Sequence, residues 1–184
     1  RIIRLDTFRP AMSLVSPTES TGVFRIRNYI EINMTATDTI LQTLEIRLYN
    51  STQNRIQLNT SSSSPFYINY SGLSEGVYFY NVSANDSAGN VNNSATRNIT
   101  LDRTNPLITL AQPQNITYST TSLQINFTVL DTNLGSCWYE FLGTNFSLSN
   151  CKNTSFLVSG NGNYSLIVYT NDSLNYLNSS RITF

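Results

Sequence analysis

The chain of 184 residues carries two copies of one strand pattern, and this repeat constrains its fold more than any other feature. Residues 29–39, YIEINMTATDT, align without gaps to residues 122–132, SLQINFTVLDT. Apolar residues alternate with polar ones in both segments, which is the period-two pattern of a strand with one buried face. No apolar stripe with the helical period of about 3.6 residues occurs at useful length. Each copy therefore predicts a half-buried strand.

Two further matches extend the repeat over most of the chain. Residues 76–87, GVYFYNVSANDS, match residues 162–173, GNYSLIVYTNDS, and Arg9-Pro10 matches Asn105-Pro106. Repeats of roughly 80 to 95 residues have the size of a small β-sandwich rather than of a solenoid unit. Tyr78 and Tyr164 occupy matching positions and are expected to form tyrosine corners, in which the hydroxyl bonds to upstream backbone.

Short alternating segments separated by turn signals predict six strands in each copy. In the first copy they are residues 11–15, 30–36, 44–49, 66–70, 77–84 and 97–101. In the second they are residues 107–110, 123–129, 137–141, 154–158, 164–170 and 181–184. Many short strands at this spacing indicate an all-β fold built from antiparallel sandwiches.

Several motifs resemble the immunoglobulin-like modules that are strung along archaeal and bacterial surface proteins. Residues 76–90, GVYFYNVSANDSAGN, resemble the penultimate strand of such a module, and residues 98–108 resemble the linker between tandem modules. Cys137-Trp138-Tyr139 followed by Cys151 also recurs in archaeal versions. The resemblance implies two tandem immunoglobulin-like antiparallel β-sandwiches. Such modules serve as stalks, sheaths, adhesins and accessory domains, so the resemblance does not assign one function.

The resemblance also implies domain boundaries. Residues 10–103 are expected to form the first immunoglobulin-like domain and residues 104–184 the second, with residues 1–9 as an N-terminal strand and linker. One departure concerns the turn after the penultimate strand. Leu174-Asn175 in the second copy replaces the Ala-Gly-Asn turn of the first, which predicts a loop of a different shape.

The N-terminal segment predicts an extra strand. Residues 1–10, RIIRLDTFRP, resemble residues 97–106, RNITLDRTNP, which close the first copy. Ile2, Ile3 and Leu5 therefore resemble a closing strand whose own module is absent, and unpaired strand backbone seeks a sheet edge. Two explanations stay open. Either the chain is a processed or excised piece of a longer array, or this strand inserts into a neighbouring subunit by β-augmentation.

Asn-x-Ser/Thr sequons are much more frequent than chance predicts. The chain has 24 Asn and 46 Ser or Thr, so random placement gives about 6 sequons, whereas fifteen are present. They begin at Asn33, Asn50, Asn59, Asn69, Asn81, Asn85, Asn92, Asn98, Asn115, Asn126, Asn145, Asn153, Asn163, Asn171 and Asn178. N-linked glycans are bulky and solubilising, so these Asn are predicted glycosylation sites of an exported protein. The alternative is a composition that is merely rich in polar β-formers.

Charge excludes several classes of partner. Charged residues make up 12% of the chain and the net charge is zero, so no basic surface is expected to bind nucleic acid or an anionic membrane. No stretch approaches the ~20 apolar residues of a membrane-spanning helix. A chain with so few charges needs another source of solubility and of protection for its strand edges. A glycan coat would supply both.

Few residues of the chain are of the types that carry out catalysis. The chain has no His and a single Lys, Lys152, and it lacks a phosphate loop and a nucleophile elbow. Two carboxylates brought together in space could still support glycoside hydrolysis. Most acidic residues lie at turns or strand ends, however, so the sequence predicts that the chain is not an enzyme. No cofactor is expected apart from covalent N-linked glycans.

The two cysteines, Cys137 and Cys151, predict one disulfide. An isolated pair at this separation, in a glycan-bearing chain, is typical of oxidation outside the cytosol. The alternative is two free buried thiols. A zinc site is not expected, because two Cys without any His cannot complete a tetrahedral shell.

Aspartates and one tryptophan are the remaining candidates for binding. Oxygen ligands from Asp could hold calcium near module junctions. The favoured interpretation is that these Asp accept backbone N–H bonds in tight turns, because no segment has the ligand spacing of a calcium loop, and no metal site is predicted. The Asp residues concerned are Asp38, Asp86, Asp102, Asp131 and Asp172. Trp138 aligns with Glu45 at an outward position, where it is either covered by a glycan or a partner chain, the favoured interpretation, or forms a surface patch without a function.

These observations predict an extracellular, cell-surface protein that acts as a structural subunit of a filament, sheath or surface layer. Its partners would be copies of itself, joined head-to-tail by strand exchange, and other surface components or glycans. Head-to-tail contacts are heterologous, and they propagate as a filament unless they close into a ring. The alternative function is an adhesin stalk or a carbohydrate-binding module of a larger surface protein.

Overall fold

The fold contains two compact units in a computed structural model that describes residues 5–184. The division falls between Arg103 and Thr104. Both units consist of antiparallel sheets, to which the first unit adds one short parallel pairing. The chain is therefore all-β. No helix among residues 5–184 is long and apolar enough to cross a membrane.

The first unit packs a three-stranded sheet against a larger one. The strands of the small sheet are β1 (Ala11–Val15), β3 (Ile30–Thr37) and β6 (Phe66–Tyr70), in the order β1-β3-β6. Those of the large sheet are β2 (Val23–Arg25), β4 (Leu41–Tyr49), β5 (Arg55–Ser61), β7 (Gly76–Asp86), β8 (Val91–Asn93) and β9 (Arg97–Leu101). Their order is β2-β9-β7-β4-β5, with β8 paired to β7, and only β2 and β9 run parallel.

The second unit repeats this arrangement with fewer strands. Its three-stranded sheet contains β10 (Leu107–Gln112), β11 (Ser122–Leu130) and β14 (Thr154–Leu157), in the order β10-β11-β14. Its four-stranded sheet contains β12 (Leu134–Phe141), β13 (Thr144–Leu148), β15 (Ser165–Asp172) and β16 (Leu177–Thr183), in the order β13-β12-β15-β16. A single 3-10 turn at Ser149–Cys151 connects β13 to the segment before β14.

Alternation along the strands places the two cores. In β3, Ile30, Ile32 and Met34 are buried while Glu31 and Asn33 between them are partly exposed. The first core is mostly aliphatic, and its fully buried side chains include Leu44, Ile46, Leu48, Val82, Ile99 and Leu101. The second core is richer in aromatic rings, namely Phe127, Tyr139, Phe141 and Phe156. The repeated alternation therefore predicted the fold class correctly.

Several strands differ from the sequence prediction. The alternation missed the edge strands β2, β5 and β13 and the short β8. In β5 five of the seven residues are exposed and none is buried, so its apolar side chains do not mark an inner face. Other strands are longer than predicted, because ladder hydrogen bonds continue past the last buried side chain; β12 begins at Leu134 rather than Cys137.

The predicted disulfide and tyrosine corners are present in the structure. Cys137 and Cys151 form a disulfide with a Cα–Cα distance of 5.1 Å, inside the second unit. The Tyr78 hydroxyl donates to the Ser74 carbonyl at 3.1 Å, and that of Tyr164 donates to the Gly160 carbonyl at 2.8 Å. Both predicted tyrosine corners are therefore confirmed, each with an upstream backbone partner four residues away.

Candidate functional site

All fifteen sequon asparagines lie outside the two cores. None of them is buried among the residues that the structure describes, and ten are partly exposed. Those with the greatest exposure are Asn69, Asn115, Asn145, Asn153 and Asn163. Asn33, Asn81 and Asn126 lie on strands whose flanking residues are buried, so their side chains occupy the outward face as the alternation predicted.

Hydrogen bonds of the side-chain nitrogen distinguish the sequons from one another. An N-linked glycan is attached at Asn Nδ2, so a contact of that atom restricts access to it. Nδ2 of Asn33, Asn92 and Asn178 donates to the backbone carbonyls of Ser16, Pro10 and Pro106 at 2.8–3.0 Å. A glycan attached to one of these nitrogens would crowd the backbone carbonyl that the nitrogen contacts.

Sequons also divide the edges of the sheets into two groups. Each of the four sheets ends in two strands, and an edge strand offers unpaired backbone groups to other chains. Asn59, Asn69, Asn145 and Asn178 lie within the edge strands β5, β6, β13 and β16. The edge strands β1, β2, β10 and β14 contain no sequon asparagine. Glycans would therefore block lateral pairing at the first group. The second group has no glycan within its strands, although the exposed Asn153 lies directly before β14.

Edge strand β14 combines an accessible edge with an exposed apolar side chain. Leu157 is 71% exposed and pairs across the ladder with Ser122 of β11. At the start of β10, in contrast, side-chain amides already form contacts. Asn105 Nδ2 donates to the Leu177 carbonyl, and Asn178 Nδ2 donates to the Pro106 carbonyl. Leu107 of β10 is 60% exposed as well, so β14 is preferred to β10 only because these two contacts lie at the start of β10.

The described part of the N-terminal segment is also apolar and exposed. Ile2 and Ile3 lie outside the described residues. Leu5 and Phe8 are 89% and 80% exposed, in irregular backbone rather than in a strand. The segment contacts the first unit through the Asp6 carbonyl, which accepts a 3.2 Å hydrogen bond from Asn90 Nδ2. The predicted strand of Ile2, Ile3 and Leu5 stays a prediction.

Trp138 lies on the outer face of the four-stranded sheet of the second unit, as predicted. Its ring stacks on that of Tyr169, with 5.4 Å between centroids and 10° between planes. The Tyr169 hydroxyl donates to Glu140 Oε2 at 3.1 Å. Burial and this bond to a carboxylate both raise the pKa of Tyr169. Asn171, two residues after Tyr169 in β15, places a sequon beside this aromatic pair.

Three carboxylates meet in the first unit. Asp6, Asp38 and Asp86 each offer one oxygen, and these oxygens lie within 4.8 Å of one another. Asp86 is buried, and its Oδ1 accepts from the N–H groups of Ala88 and Asn90 while its Oδ2 accepts from Asn90 Nδ2. Burial alone would raise the pKa of Asp86, but these hydrogen bonds outweigh it and hold the pKa below its ordinary value.

Asp172 forms the corresponding turn in the second unit. Its Oδ1 accepts from the N–H groups of Leu174 and Tyr176, both at 2.8 Å. Asp38 and Asp131 likewise accept at 2.8 Å from the N–H groups of Ile40 and Asn133. Together with Asp86, these residues confirm at four positions the prediction that the aspartates accept hydrogen bonds from N–H groups of turns.

The two turns have the same shape, so the predicted difference between them is wrong. The residue four after the aspartate donates to Oδ1 in both, and the residue before it has positive φ: 90° at Gly89 and 65° at Asn175. Asn is one of the few residues with a side chain that adopts this conformation readily, so it replaces Gly without reshaping the loop.

Sequence reasoning missed two residues near these aspartates. Asp6 matches Asp102 in the N-terminal repeat, and that match was the only signal for its place in the first cluster. Asn133 aligns with Ile40, so the repeat itself gave no reason to expect a buried polar side chain there.

Comparisons with known proteins agree with the fold. The sequence model of a family described as a secretion system C-terminal sorting domain matches residues 26–103, which is less than half of the chain. No curated protein matches the chain.

Solved structures resemble the chain in fold. The N-terminal four Ig domains of Dscam1 isoform 6.44 give a TM-score of 0.51 at 9% identity, covering 97% of this chain and 46% of theirs. Isoform 8.4 gives 0.50 at 8% identity, covering 98% and 46%. The fibronectin(III)-like modules of Clostridium thermocellum CbhA give 0.42 at 16% identity, covering 94% and 92%. This chain thus spans less than half the length of the Dscam1 chains, and its likeness to those chains shows an immunoglobulin-like fold.

Proposed function

We propose that this protein is a secreted or cell-surface structural subunit of an extracellular filament, sheath or surface layer. It is N-glycosylated, it is not an enzyme, and it assembles head-to-tail through strand exchange between copies of itself. The match to a sorting domain and the disulfide support export from the cytosol. An archaeal source, which the sequence resemblance favours, is part of the proposal and gains no support from the sorting-domain match.

The observation that carries the proposal is the distribution of sequons over the sheet edges. Glycans at β5, β6, β13 and β16 would prevent disordered edge-to-edge association. An assembling subunit must keep at least one edge accessible, and β14 has no sequon within the strand and carries the exposed Leu157, with Asn153 at its N-terminal end. A coat that served only solubility would give no reason to spare particular edges.

The proposed occupant of the β14 edge is the segment of residues 1–6 from another copy. An added strand forms backbone hydrogen bonds along the edge, and its alternate side chains find apolar contacts. Ile2, Ile3 and Leu5 supply apolar side chains in that segment. Each well-buried Ile or Leu contributes roughly 1.5 to 3 kcal/mol before the cost of ordering is subtracted.

Deletion of residues 1–8 tests the assembly. The truncated protein is expected to keep both units folded, by circular dichroism, and to lose polymers in light scattering and negative-stain electron microscopy. Leu157→Asp should have the same effect, because it puts a charge on the acceptor edge. Leu177→Asp is the matched control: Leu177 is 50% exposed on β16, an edge that carries a sequon, and its change should leave polymers intact. Polymers that survive the deletion would rule out strand exchange.

Glycopeptide mass spectrometry of native protein tests the coat. Most of the fifteen sequons should carry glycan, with the highest occupancy at the five exposed asparagines. Occupancy should be lowest at Asn33, Asn92 and Asn178, because their Nδ2 atoms donate to backbone carbonyls. Unmodified Asn at most sites would contradict the proposal.

The second candidate function is an adhesin stalk or carbohydrate-binding module, and the stacked pair Trp138 and Tyr169 favours it. Partly exposed aromatic rings next to a carboxylate are a common surface for sugar contacts. Trp138→Ala, with Phe146→Ala of the same sheet as control, should abolish binding on a glycan array if this function is right. The filament proposal predicts that polymers form equally well with Trp138→Ala.

A further inference from the structure

The turns around Asp86 and Asp172 share a backbone but differ in what their second carboxylate oxygen contacts. In the first unit Asp86 Oδ2 accepts from the side-chain amide of Asn90 at 2.8 Å. The corresponding residue of the second unit is Tyr176, whose side chain has no amide group to donate. Asp172 Oδ2 is buried there and has no hydrogen-bond partner among the described residues, although Asp172 is only 2% exposed.

A second difference lies at the residue opposite this turn. Ile40 of the first unit is replaced by Asn133, which is 7% exposed. Neither Oδ1 nor Nδ2 of Asn133 has a partner among the described residues. The backbone of Asn133 nevertheless joins the two acidic turns: its N–H donates to Asp131 Oδ1 at 2.8 Å, and its carbonyl accepts from Ser173 N–H at 3.0 Å and from Ser173 Oγ at 2.8 Å.

Buried polar atoms in native proteins nearly always have a partner, whether protein, water or ion. Here the unsatisfied atoms include a carboxylate oxygen and an amide oxygen, and they arise where the second unit replaces Asn90 and Ile40 of the first. A carboxylate oxygen of Asp131 lies within 4.8 Å of one from Asp172. Because Asp172 is buried and like-charged carboxylates this close repel one another, a cation between them would stabilise both.

We propose that the second unit binds a calcium ion through Asp131, Asp172 Oδ2 and the side-chain oxygen of Asn133. Calcium takes hard oxygen ligands at about 2.3 to 2.6 Å, so two of its ligands lie at most about 5.2 Å apart, which fits the Asp131–Asp172 separation. Thiolate and imidazole ligands are not available, because the chain has no His and both Cys form the disulfide. Asp172 then has two roles: Oδ1 holds the turn and Oδ2 binds the ion.

The assignment uses residues of the second unit alone and is independent of the proposed assembly. In the first unit both oxygens of Asp86 already accept hydrogen bonds, and Ile40 supplies no ligand. This contrast provides variants that keep the turn while removing the ligand. Tyr176→Asn restores the amide of the first unit, which would donate to Asp172 Oδ2 in place of the ion. Asn133→Ile gives the second unit the residue that the first unit has at the corresponding position, Ile40.

Isothermal titration calorimetry of the full chain, stripped with EDTA and titrated with calcium chloride, tests the proposal. We expect binding with a Kd of about 10⁻⁴ to 10⁻³ M, the range of extracellular modules. Tyr176→Asn and Asn133→Ile should each weaken it at least about tenfold. Asp38→Asn in the first unit is the matched control and should leave it unchanged. Magnesium chloride at equal ionic strength controls for screening.

Three results would overturn the proposal. One is the absence of calcium binding by the wild-type chain up to 10-fold above the stated range, in which case a buried water satisfies these atoms. Another is binding that both Tyr176→Asn and Asn133→Ile leave intact while circular dichroism shows them folded. The third is binding that Asp38→Asn abolishes, which would place the ion in the first unit.

Discussion

The two units share a turn and a tyrosine corner but stabilise their cores differently. The first buries fifteen hydrophobic residues, mostly aliphatic, and has no cross-link. The second buries ten, and adds the Cys137–Cys151 disulfide. A smaller unit buries a smaller fraction of its surface, so its core alone contributes less to stability. The comparison indicates that the disulfide and the aromatic packing offset the missing apolar area in the second unit.

The aromatic cluster of the second unit should show the largest effect. The ring centroid of Phe141 lies 4.8 Å from that of Phe156 and 5.7 Å from that of Tyr164. Phe141→Ala is expected to lower the free energy of unfolding of this unit by about 3 to 5 kcal/mol, through lost burial and a cavity. Urea unfolding combined with hydrogen exchange assigns the loss to a unit. Leu142→Ala, at a neighbouring residue that is 69% exposed, should change stability by less than about 0.5 kcal/mol.

Reduction of the disulfide should produce the next largest effect. Cys137 and Cys151 are 14 residues apart, and the chain-entropy model gives roughly 3 kcal/mol for a loop of this size. Hydrogen exchange after reduction and alkylation should therefore show faster opening of residues 104–184 and unchanged opening of residues 10–103. Equal acceleration in both units would contradict the division of stability described above.

Exchange of the turn residues should have a smaller effect and sharpen the comparison of the two loops. Gly89 and Asn175 both have positive φ. Gly89→Asn is expected to cost a few tenths of a kcal/mol, whereas Gly89→Val should cost about 1 to 2 kcal/mol, because a β-branched residue is strained in this conformation. Thermal unfolding of both variants measures the difference. A similar cost for both would mean that the backbone conformation is not what selects these residues.

The smallest effect is the pH dependence that Tyr70 gives to the first unit. Burial raises the pKa of Tyr70 to about 12. In the unfolded chain its pKa is near 10, so the unfolded state loses its proton first and stability falls as the pH rises from about 10 to about 12. Partial solvent screening keeps the loss at pH 11 below about 1 kcal/mol. Urea unfolding at several pH values should show a shallower decline in Tyr70→Phe than in wild type; parallel declines would refute the assignment.

The sequence predicted the parts of the fold that burial dictates. Strands β3 and β11 alternate clearly because their inner side chains fill the cores, and the Tyr78 and Tyr164 corners follow from their positions in the repeat. Edge strand β5 was missed because none of its residues is buried. The proposed calcium site was not predictable from spacing, since Asp131 and Asp172 are brought together only by the fold. The signal was instead a pair of departures from the repeat, Asn133 and Tyr176.

Electron cryomicroscopy of native material at subnanometre resolution tests the central claim most directly. We expect ordered polymers in which residues 1–6 of one copy lie along β14 of the next, next to Leu157. We also expect glycan density at the edges formed by β5, β6, β13 and β16. Isolated single copies, or polymers in which residues 1–6 pair with a sheet of their own chain, would contradict the central claim.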